Sequence, residues 1–540
     1  MSIRLCLPLL LSSAALAQPS YPESAPTPRS LTPAEADYLR DYPIQLPQAV
    51  TPPPTGPVQC PGEYEPMDGI ILAWEGPTDW LNIVASMAAF ITTDGNANAY
   101  VVIDAVGEQQ AATSAITARA GNLSRVKFVS RTIDTIWIRD YGPRYIYEGA
   151  PGRQVRAIVD HTYNRPRPSD DTFDLGWVTF KKHTYYELPL IHGGGNYHLN
   201  SLTRSFATRL TINENPTKTE PQIIGIWHDY QNVDTHFFTP FPTSVDSTQH
   251  LDMWMQVIGD SACMVSRWDA NAGSQQDTIC NDAAVYMQSQ GFTVHRLPAR
   301  SIGGVHYTYT NVVMCNNLVL LPRYANATML PLNDQALATW QAAVPGKVVR
   351  QIDCESIVSS AGVMHCIAMH VPAFRGAASN GGQAPTIFLR SLRGGQTVAP
   401  GQQVTLNWIS DDDEAVANID IYLSRDGGAT FPTRLANHVP DTGSFIWTVG
   451  DYPFAPNARL RIIARDAAGR EGDDLSDTDF TIDGEPCPSD FNRDGQTDFF
   501  DYLDFVAAFS AEDPSADFDG NGQVDFFDYL EFVAAYDQPC

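Results

Sequence analysis

Positive charge is scarce in this chain. Lys and Arg together number 34 among 540 residues, against 62 Asp and Glu, for a formal net charge of −28. Polyphosphate backbones are gripped by an excess of basic side chains, so nucleic acid is not expected as a partner. Long apolar runs are missing as well. Beyond the first seventeen residues no stretch approaches the ~18 apolar residues needed to span a bilayer, and no transmembrane segment is expected. Cysteine is sparse. There are nine, of which Cys6 falls in the first seventeen residues, leaving Cys60, Cys263, Cys280, Cys315, Cys354, Cys366, Cys487 and Cys540.

What is present supports folding. Hydrophobic residues make up 43% of the chain, enough for sizeable cores, and the length suggests roughly three or four domains. Residues 1–17 have the form of a secretory signal: Arg4, an apolar stretch from Leu5 to Leu11, and Ala15-Leu16-Ala17 as a small-x-small cleavage site. The mature protein is therefore expected to be secreted or held at the cell surface, where disulfides are permitted. Residues 18–57 are Pro-rich and show neither a helical nor a strand period, and read as an extended leader, a pro-segment or a linker.

Residues 58–374 form the long central block. Short apolar segments (Gly69–Trp74, Ala99–Ile103, Arg125–Val129, Val312–Met314, Leu318–Leu321) alternate with helical patterns such as Thr78–Phe90 and Asp282–Gly291. That alternation argues for an α/β fold. Residues 375–385 (RGAASNGGQAP) read as a flexible linker. Residues 386–483 alternate with period two, as in Val404/Leu406/Trp408 and Ile419/Ile421/Leu423, which predicts an all-β, immunoglobulin-like sandwich with a packing or spacer role.

The acidity is concentrated at the end. Residues 484–540 contain 14 acids and a single base, Arg493. Within them 490–509 and 517–536 are an internal repeat, identical at 14 of 20 aligned positions. Each repeat places oxygen-bearing residues at loop positions 1, 3, 5, 9 and 12: Asp490, Asn492, Asp494, Asp498 and Asp501, then Asp517, Asp519, Asn521, Asp525 and Asp528. Gly495 and Gly522 occupy the sharp turn, and Gln496 and Gln523 offer backbone carbonyls at position 7. This spacing wraps six to eight hard oxygens around Ca²⁺, so two calcium sites are expected. With a helix following each loop, the segment resembles a dockerin module. The resemblance implies a small α fold, a cohesin-type docking partner, and a clasp between Cys487 and Cys540 at the two ends.

Several segments of the central block share a chemical logic. In Trp137-Ile-Arg-Asp140-Tyr-Gly-Pro, apolar residues lead to a carboxylate before a turn, next to an aromatic side chain. In His250-Leu-Asp252 an imidazole and a carboxylate would share one face of a strand, although Asp234-Thr-His236 has the same spacing. Thr308-Tyr-Thr-Asn311 ends against an apolar run, and Cys366 ends the small-residue turn Gly362-Val-Met-His365-Cys366. Its neighbour His365 would point away on a strand and is not assigned as a base. Eight cysteines less one free nucleophile leave an odd number, so at least one more must be unpaired or bridge between chains.

Taken together, WIRDYGP (137–143), HGGGNYHLN (192–200), HLD (250–252), TYTN (308–311) and AGVMHC (361–366) resemble the guanidine-modifying enzymes. The likeness is to peptidylarginine deiminases of the Porphyromonas type and their agmatine deiminase relatives. The resemblance covers about residues 58–374 and implies a pseudo-fivefold α/β-propeller with a central site. It further implies that Asp140 and Asp252 grip a guanidinium, Trp137 lies against the cation, and the Cys366 thiolate attacks the guanidinium carbon. His250 would serve as general acid and base, and Asn311 would orient the reacting groups. Arginine would become citrulline plus ammonia with no cofactor for the chemistry, and calcium would belong to the tail.

Asp160-His-Thr-Tyr-Asn-Arg165-Pro-Arg167 bears on the substrate. Two guanidinium forks on a Pro-stiffened segment suit a carboxylate. The segment resembles the one that captures a peptide's C-terminal carboxylate; its alternative is a solvent-facing loop with two unpaired arginines. His192 stands where the agmatine deiminase pattern carries Glu. His192-Gly-Gly-Gly195 lacks the Lys-Ser/Thr of a phosphate loop. Arginine-containing peptides are thus the expected partners, with agmatine, or a catalytically inactive secreted binding protein, as the alternatives.

Overall fold

The structure is a computed structural model that describes residues 18–47, 50–104, 106–379 and 381–537. The expected signal at 1–17 and Cys540 lie outside the described residues.

Among the described residues, the central block is built from five units of one pattern: two antiparallel strands, a helix, and a third strand parallel to the second. In the first unit Arg144–Glu148 pairs antiparallel with Val155–Tyr163, and Phe173–Lys181 crosses over to Thr184–His192, which runs parallel to Val155–Tyr163. The second uses Tyr197–Leu199, Arg204–Thr208, Glu220–Gln231 and Asp234–Phe238, and the third Met255–Gly259, Ala262–Arg267, Gln275–Ser289 and Thr293–Pro298. The fourth uses Val313–Cys315, Leu318–Arg323, Leu330–Ala343 and Val348–Asp353. The fifth is split across the block: Ala368–Pro372, from its end, pairs antiparallel with Met67–Ala73, from its start. Met67–Ala73 then continues through Thr78–Thr92 to the parallel strand Asn98–Ile103.

Local chemistry explains the pattern. A parallel pair needs a crossover, and a helix supplies it. In Thr78–Thr92 the buried residues Trp80, Ile83, Val84, Met87, Ala88 and Ile91 recur at three- and four-residue spacing, which makes one apolar stripe against the sheet. The strand beneath it, Met67–Ala73, is covered on both faces, and six of its seven residues are buried.

The β-rich region after the block folds as two sheets. One contains Thr386–Leu389, Gln403–Asp411 and Ser444–Thr448; the other is led by Val416–Ser424 and Ala455–Asp466. Ile387, Leu406, Trp408, Ile421 and Leu460 fill the space between them. Residues 375–385 are not a free tether. Arg375 lies 3.7 Å from the Tyr147 ring centroid and donates to Gln59 and Gln154, and Ala378–Ser379 pairs with Gly382–Gln383. The sandwich is docked. Arg156 donates to both carboxylate oxygens of Asp411 (2.7 and 3.1 Å), and Val155, Phe388 and Ile409 close a small apolar contact beside them. The Pro-rich leader also departs from expectation. It carries a helix, Pro33–Asp41, with Thr32 and Glu35 as a reciprocal capping box, and it packs onto the central block.

Arg156 and Asp411 are both buried, and the pairing holds the Asp411 carboxyl well below its usual range although burial opposes it. Removing one partner strands a buried charge, so Asp411→Ala should lower the unfolding free energy by about 3 kcal/mol in urea melts. A loss below a few tenths would mean that the sandwich does not brace the block.

Candidate active site

Asp140, His250, Asp252, Asn311 and Cys366 converge, and each comes from the same place in its unit. Asp140 sits in the short helix Ile138–Tyr141 before the first strand of unit one, and Gly193–Asn196 precedes that of unit two. His250 and Asp252 belong to a 3₁₀ turn (Leu251–Met253, capped by His250) before unit three, not to a strand as expected. Asn311 lies just before Val313–Cys315, and Cys366 lies in the 3₁₀ turn His365–Ile367 before Ala368–Pro372. Five tight turns thus aim side chains and backbone at one point. Asp234-Thr-His236, the rival pair, lies on an outer strand, where His236 stacks on Tyr286.

At that point sits a guanidinium belonging to the chain itself, that of Arg29 from the leader. Its Nε and Nη2 donate to Asp140 Oδ2 (2.8 Å) and Oδ1 (2.7 Å), and its Nη1 and Nη2 to Asp252 Oδ1 and Oδ2 (3.0 Å each). Nη1 also lies 2.6 Å from Cys366 Sγ. This group stands in the position the resemblance assigns to a substrate guanidinium. All four residues are at most 1% exposed. Two carboxylates matching a planar fork are the strong form of charge-assisted hydrogen bond. Burial would raise both carboxyls, but Arg29 overrides it and holds Asp140 and Asp252 below their ordinary range.

Cys366 is a free thiol, as are Cys60, Cys263, Cys280, Cys315 and Cys354, so a disulfide role for it is excluded. Asn311 Nδ2 donates to Sγ (3.1 Å), and Asn311 Oδ1 accepts the His365 amide (3.0 Å), which ties the thiol turn to unit four. Burial pushes the thiol well up; the Arg29 cation opposes this, while Asp252 and Asp140 add to it. His250 Nδ1 lies 3.4 Å from Asp140 Oδ1, too long for a close hydrogen bond. Both ring nitrogens are otherwise without a partner.

The glycines before Tyr197 have a steric reason. A Cβ on Gly195 would lie 1.8 Å from Arg29 Nη2 and 2.7 Å from Asp252 Oδ2, and the Gly195 amide donates to Asp140 Oδ1 (3.1 Å). The backbone must approach the cation closely, and only glycine permits it. Trp137 differs from expectation: its indole N–H donates to Thr27 O of the leader (2.8 Å). Among the described residues no cation–π contact joins it to Arg29. Arg165 and Arg167 are buried and paired, so a solvent-facing loop is excluded. Arg165 Nε donates to the main-chain oxygen of Arg29 (3.3 Å), and Arg167 grips both oxygens of Glu35 (2.7 and 3.3 Å).

The sequence reading missed a second layer. His365 Nδ1 lies 2.9 Å from Asp252 Oδ2 and its Nε2 lies 3.0 Å from Glu63 Oε2, and Arg139 donates to Glu63 Oε1 (2.7 Å). On a 3₁₀ turn His365 faces Asp252, where a strand would have turned it away. Glu63, His198 and His365 have donors close enough together to suit a metal, but Glu63 is neutralised by Arg139 and both His365 nitrogens are already committed. Glu63 carried no local motif; its partner Arg139, inside WIRDYGP, was the available signal.

A family profile described as Porphyromonas-type peptidyl-arginine deiminase matches residues 59–372. The agmatine deiminase of Stutzerimonas stutzeri is 22% identical over 360 residues, 58% of this chain and 95% of that one. That of Ectopseudomonas mendocina is 22% identical over 371 residues, 59% of this chain and 96% of that one. The solved agmatine deiminase of Enterococcus faecalis superposes with a TM-score of 0.51 at 17% identity, covering 58% of this chain and 96% of its own; at that identity the likeness speaks for the fold alone. The match of the family profile across more than half of the chain identifies it: the chain belongs to the Porphyromonas-type peptidyl-arginine deiminase family and is a deiminase of guanidino groups.

Proposed function

We propose that the chain hydrolyses the side-chain guanidinium of arginine at the C-terminus of peptides, releasing ammonia and leaving citrulline. The observation that carries this reading is the 3.3 Å contact between Arg165 Nε and the main-chain oxygen of the arginine held in the clamp. In a C-terminal arginine that oxygen belongs to a carboxylate, to which a guanidinium fork binds most strongly. Agmatine has no such group. Its distal ammonium would approach Arg165, although Glu214, buried beside Asn164, favours an ammonium there, as do the curated relatives. Agmatine is therefore the second reading.

The steps follow from the geometry. A guanidinium is the one charged neighbour that lowers the Cys366 thiol, so substrate binding itself favours the thiolate, the form that attacks carbon. A C–S bond forms at the guanidinium carbon. His250 passes a proton to the departing nitrogen, and the C–N bond breaks to give ammonia. Water, losing its proton to His250, then adds to the same carbon; the C–S bond breaks and the neutral ureido group leaves. Asp140 and Asp252 hold the carbon in place throughout, and their grip relaxes once the charge is gone. We infer a pseudo-fivefold propeller for the central block from its five repeated units.

We further propose export, a calcium-bound tail and a cohesin-type partner. The tail loops precede Phe499–Ser510 and Phe526–Tyr536, and Asp501 and Asp528 close the capping boxes of those helices. Burial, with Asp501 and Asp494 nearby, pushes Asp490 up, and Asp517 Oδ1 is buried without a partner. Repelling, under-satisfied hard oxygens are what a divalent cation relieves. Asp490, Asn492, Asp494, Asp498 and Asp501, with the Gln496 carbonyl, would hold one ion, and Asp517, Asp519, Asn521, Asp525 and Asp528, with the Gln523 carbonyl, the other. Cys487 is disulfide-bonded, which suits a clasped module. Phe499, Phe500, Phe526 and Phe527 are each 62–64% exposed in equivalent positions, an apolar face for docking.

Cys366→Ala should abolish ureido-product formation while leaving the melting temperature within a few degrees; undiminished turnover would remove Cys366 as nucleophile. Arg165→Ala should raise KM for peptides ending in arginine by about 10-fold, one lost charge-assisted bond, and by less for peptides whose C-terminus is amidated, which keep the main-chain oxygen without its charge. Turnover of agmatine alone, with peptides untouched, would establish the second reading. EDTA should open residues 487–537 to proteolysis and leave deimination intact; a parallel loss of turnover would tie calcium to the catalytic block.

A further inference from the structure

We propose that residues 18–47 are an intramolecular plug, with Arg29 seated as a substrate mimic, so that the intact chain is latent until the leader is displaced or cut away. The proposal rests on reading the clamp as the deiminase site.

The seat is built for a peptide. Arg29 is fully buried and its guanidinium makes five contacts with Asp140, Asp252 and Cys366. Its backbone is held on both sides: the Arg29 amide donates to Ser360 O (3.0 Å), Arg165 reaches its carbonyl, and Trp137 reaches Thr27 O. Arg167 donates to Pro28 O (2.8 Å) and Ser30 O (3.3 Å) besides gripping Glu35. Tyr21 completes the anchor, within hydrogen-bond distance of Glu35 Oε1 (3.0 Å) and Pro166 O (2.9 Å). Every body residue in this set lies in a segment that the substrate reading already uses or beside one.

The leader therefore competes with substrate for the same atoms. Two cations cannot share one pair of carboxylates, and Cys366 is sealed at 0% exposure. Arg29 Nη1, 2.6 Å from Sγ, occupies the approach that an incoming guanidinium would need. A tethered group acts at an effective concentration in the ~mM range, so substrate at micromolar levels would be outcompeted. The seam is otherwise loose: cavities of about 210 and 580 Å³ flank the leader helix. Attachment runs along residues 21–35, with its charged contacts at Arg29 and Glu35.

The test uses the full chain in three forms: intact, Arg29→Ala, and carrying a protease sequence inserted between residues 47 and 50, assayed before and after cutting. Iodoacetamide is the probe, with alkylation of Cys366 followed by peptide mass spectrometry, alongside ureido-product formation from an arginine-terminated peptide. The expected result is alkylation and turnover at least about tenfold faster in Arg29→Ala and in the cut chain than in the intact one. Equal rates in all forms would overturn the plug. Rapid alkylation of the cut chain with no product from any guanidine would keep the plug and sink the deiminase reading. Should Arg29→Ala misfold by circular dichroism, synthetic peptide 18–47 added to the cut chain must restore protection of Cys366, and the same peptide carrying Arg29→Ala must not. Failure of the native peptide to protect would equally reject the proposal.

Discussion

A planar cation held between two buried carboxylates, with a sulfur at its edge, is the interaction around which this molecule is arranged. Burying one carboxylate without a partner costs several kcal/mol, and Asp140 and Asp252 are buried together. The cost is offset only while a matching cation lies between them. A closed site without one is unstable, and must take in water, protons or a guanidinium. The same guanidinium acts on the sulfur: burial and the two carboxylates push the Cys366 thiol up, and the Arg29 cation opposes them.

The fold serves this clamp by repetition. Five units present their preceding turns to one centre, and a tight turn can aim a side chain inward where a strand would alternate its side chains between faces. The cost is crowding, relieved by glycine at Gly195, where the backbone itself lies against the cation. Behind the clamp a chain of hydrogen-bonding groups runs from Asp252 through His365 to Glu63 and Arg139. It fixes the orientation of one carboxylate without placing another unpaired charge in the interior. The sandwich, held by Arg156 and Asp411, braces the unit that carries Arg165 and Arg167.

Arg165 and Arg167, proposed above to face a substrate, hold the leader in this structure. Their forks meet the main-chain oxygens of Pro28, Arg29 and Ser30 and the Glu35 carboxylate in this structure. A peptide ending in arginine offers the oxygen that Arg165 meets, with an added charge. On the proposed reading a leader and a substrate that use the same grip would exclude each other, and a Pro-rich segment without obvious sequence character would have a place in the chemistry.

Much of this could be read from residue order. Trp80 to Ile91 announces its helix by spacing, and period-two alternation marks the sandwich. Asp140, His250, Asp252, Asn311 and Cys366 were identifiable because each lies in a short motif of chemically suited residues. Thr32-Pro-Ala-Glu35 also held a local signal, a capping box with Pro at the first helical position, which the Pro-rich composition obscured. Other features had no such trace. Arg29 lies 111 residues from Asp140 and 337 from Cys366, and Glu63 lies 302 from His365. Nothing in the neighbourhood of an arginine or a glutamate says which distant charge it will meet. Motifs and periodicity are short-range and survive in the linear text, whereas charge pairing is settled by which turns the packed units bring to a common centre.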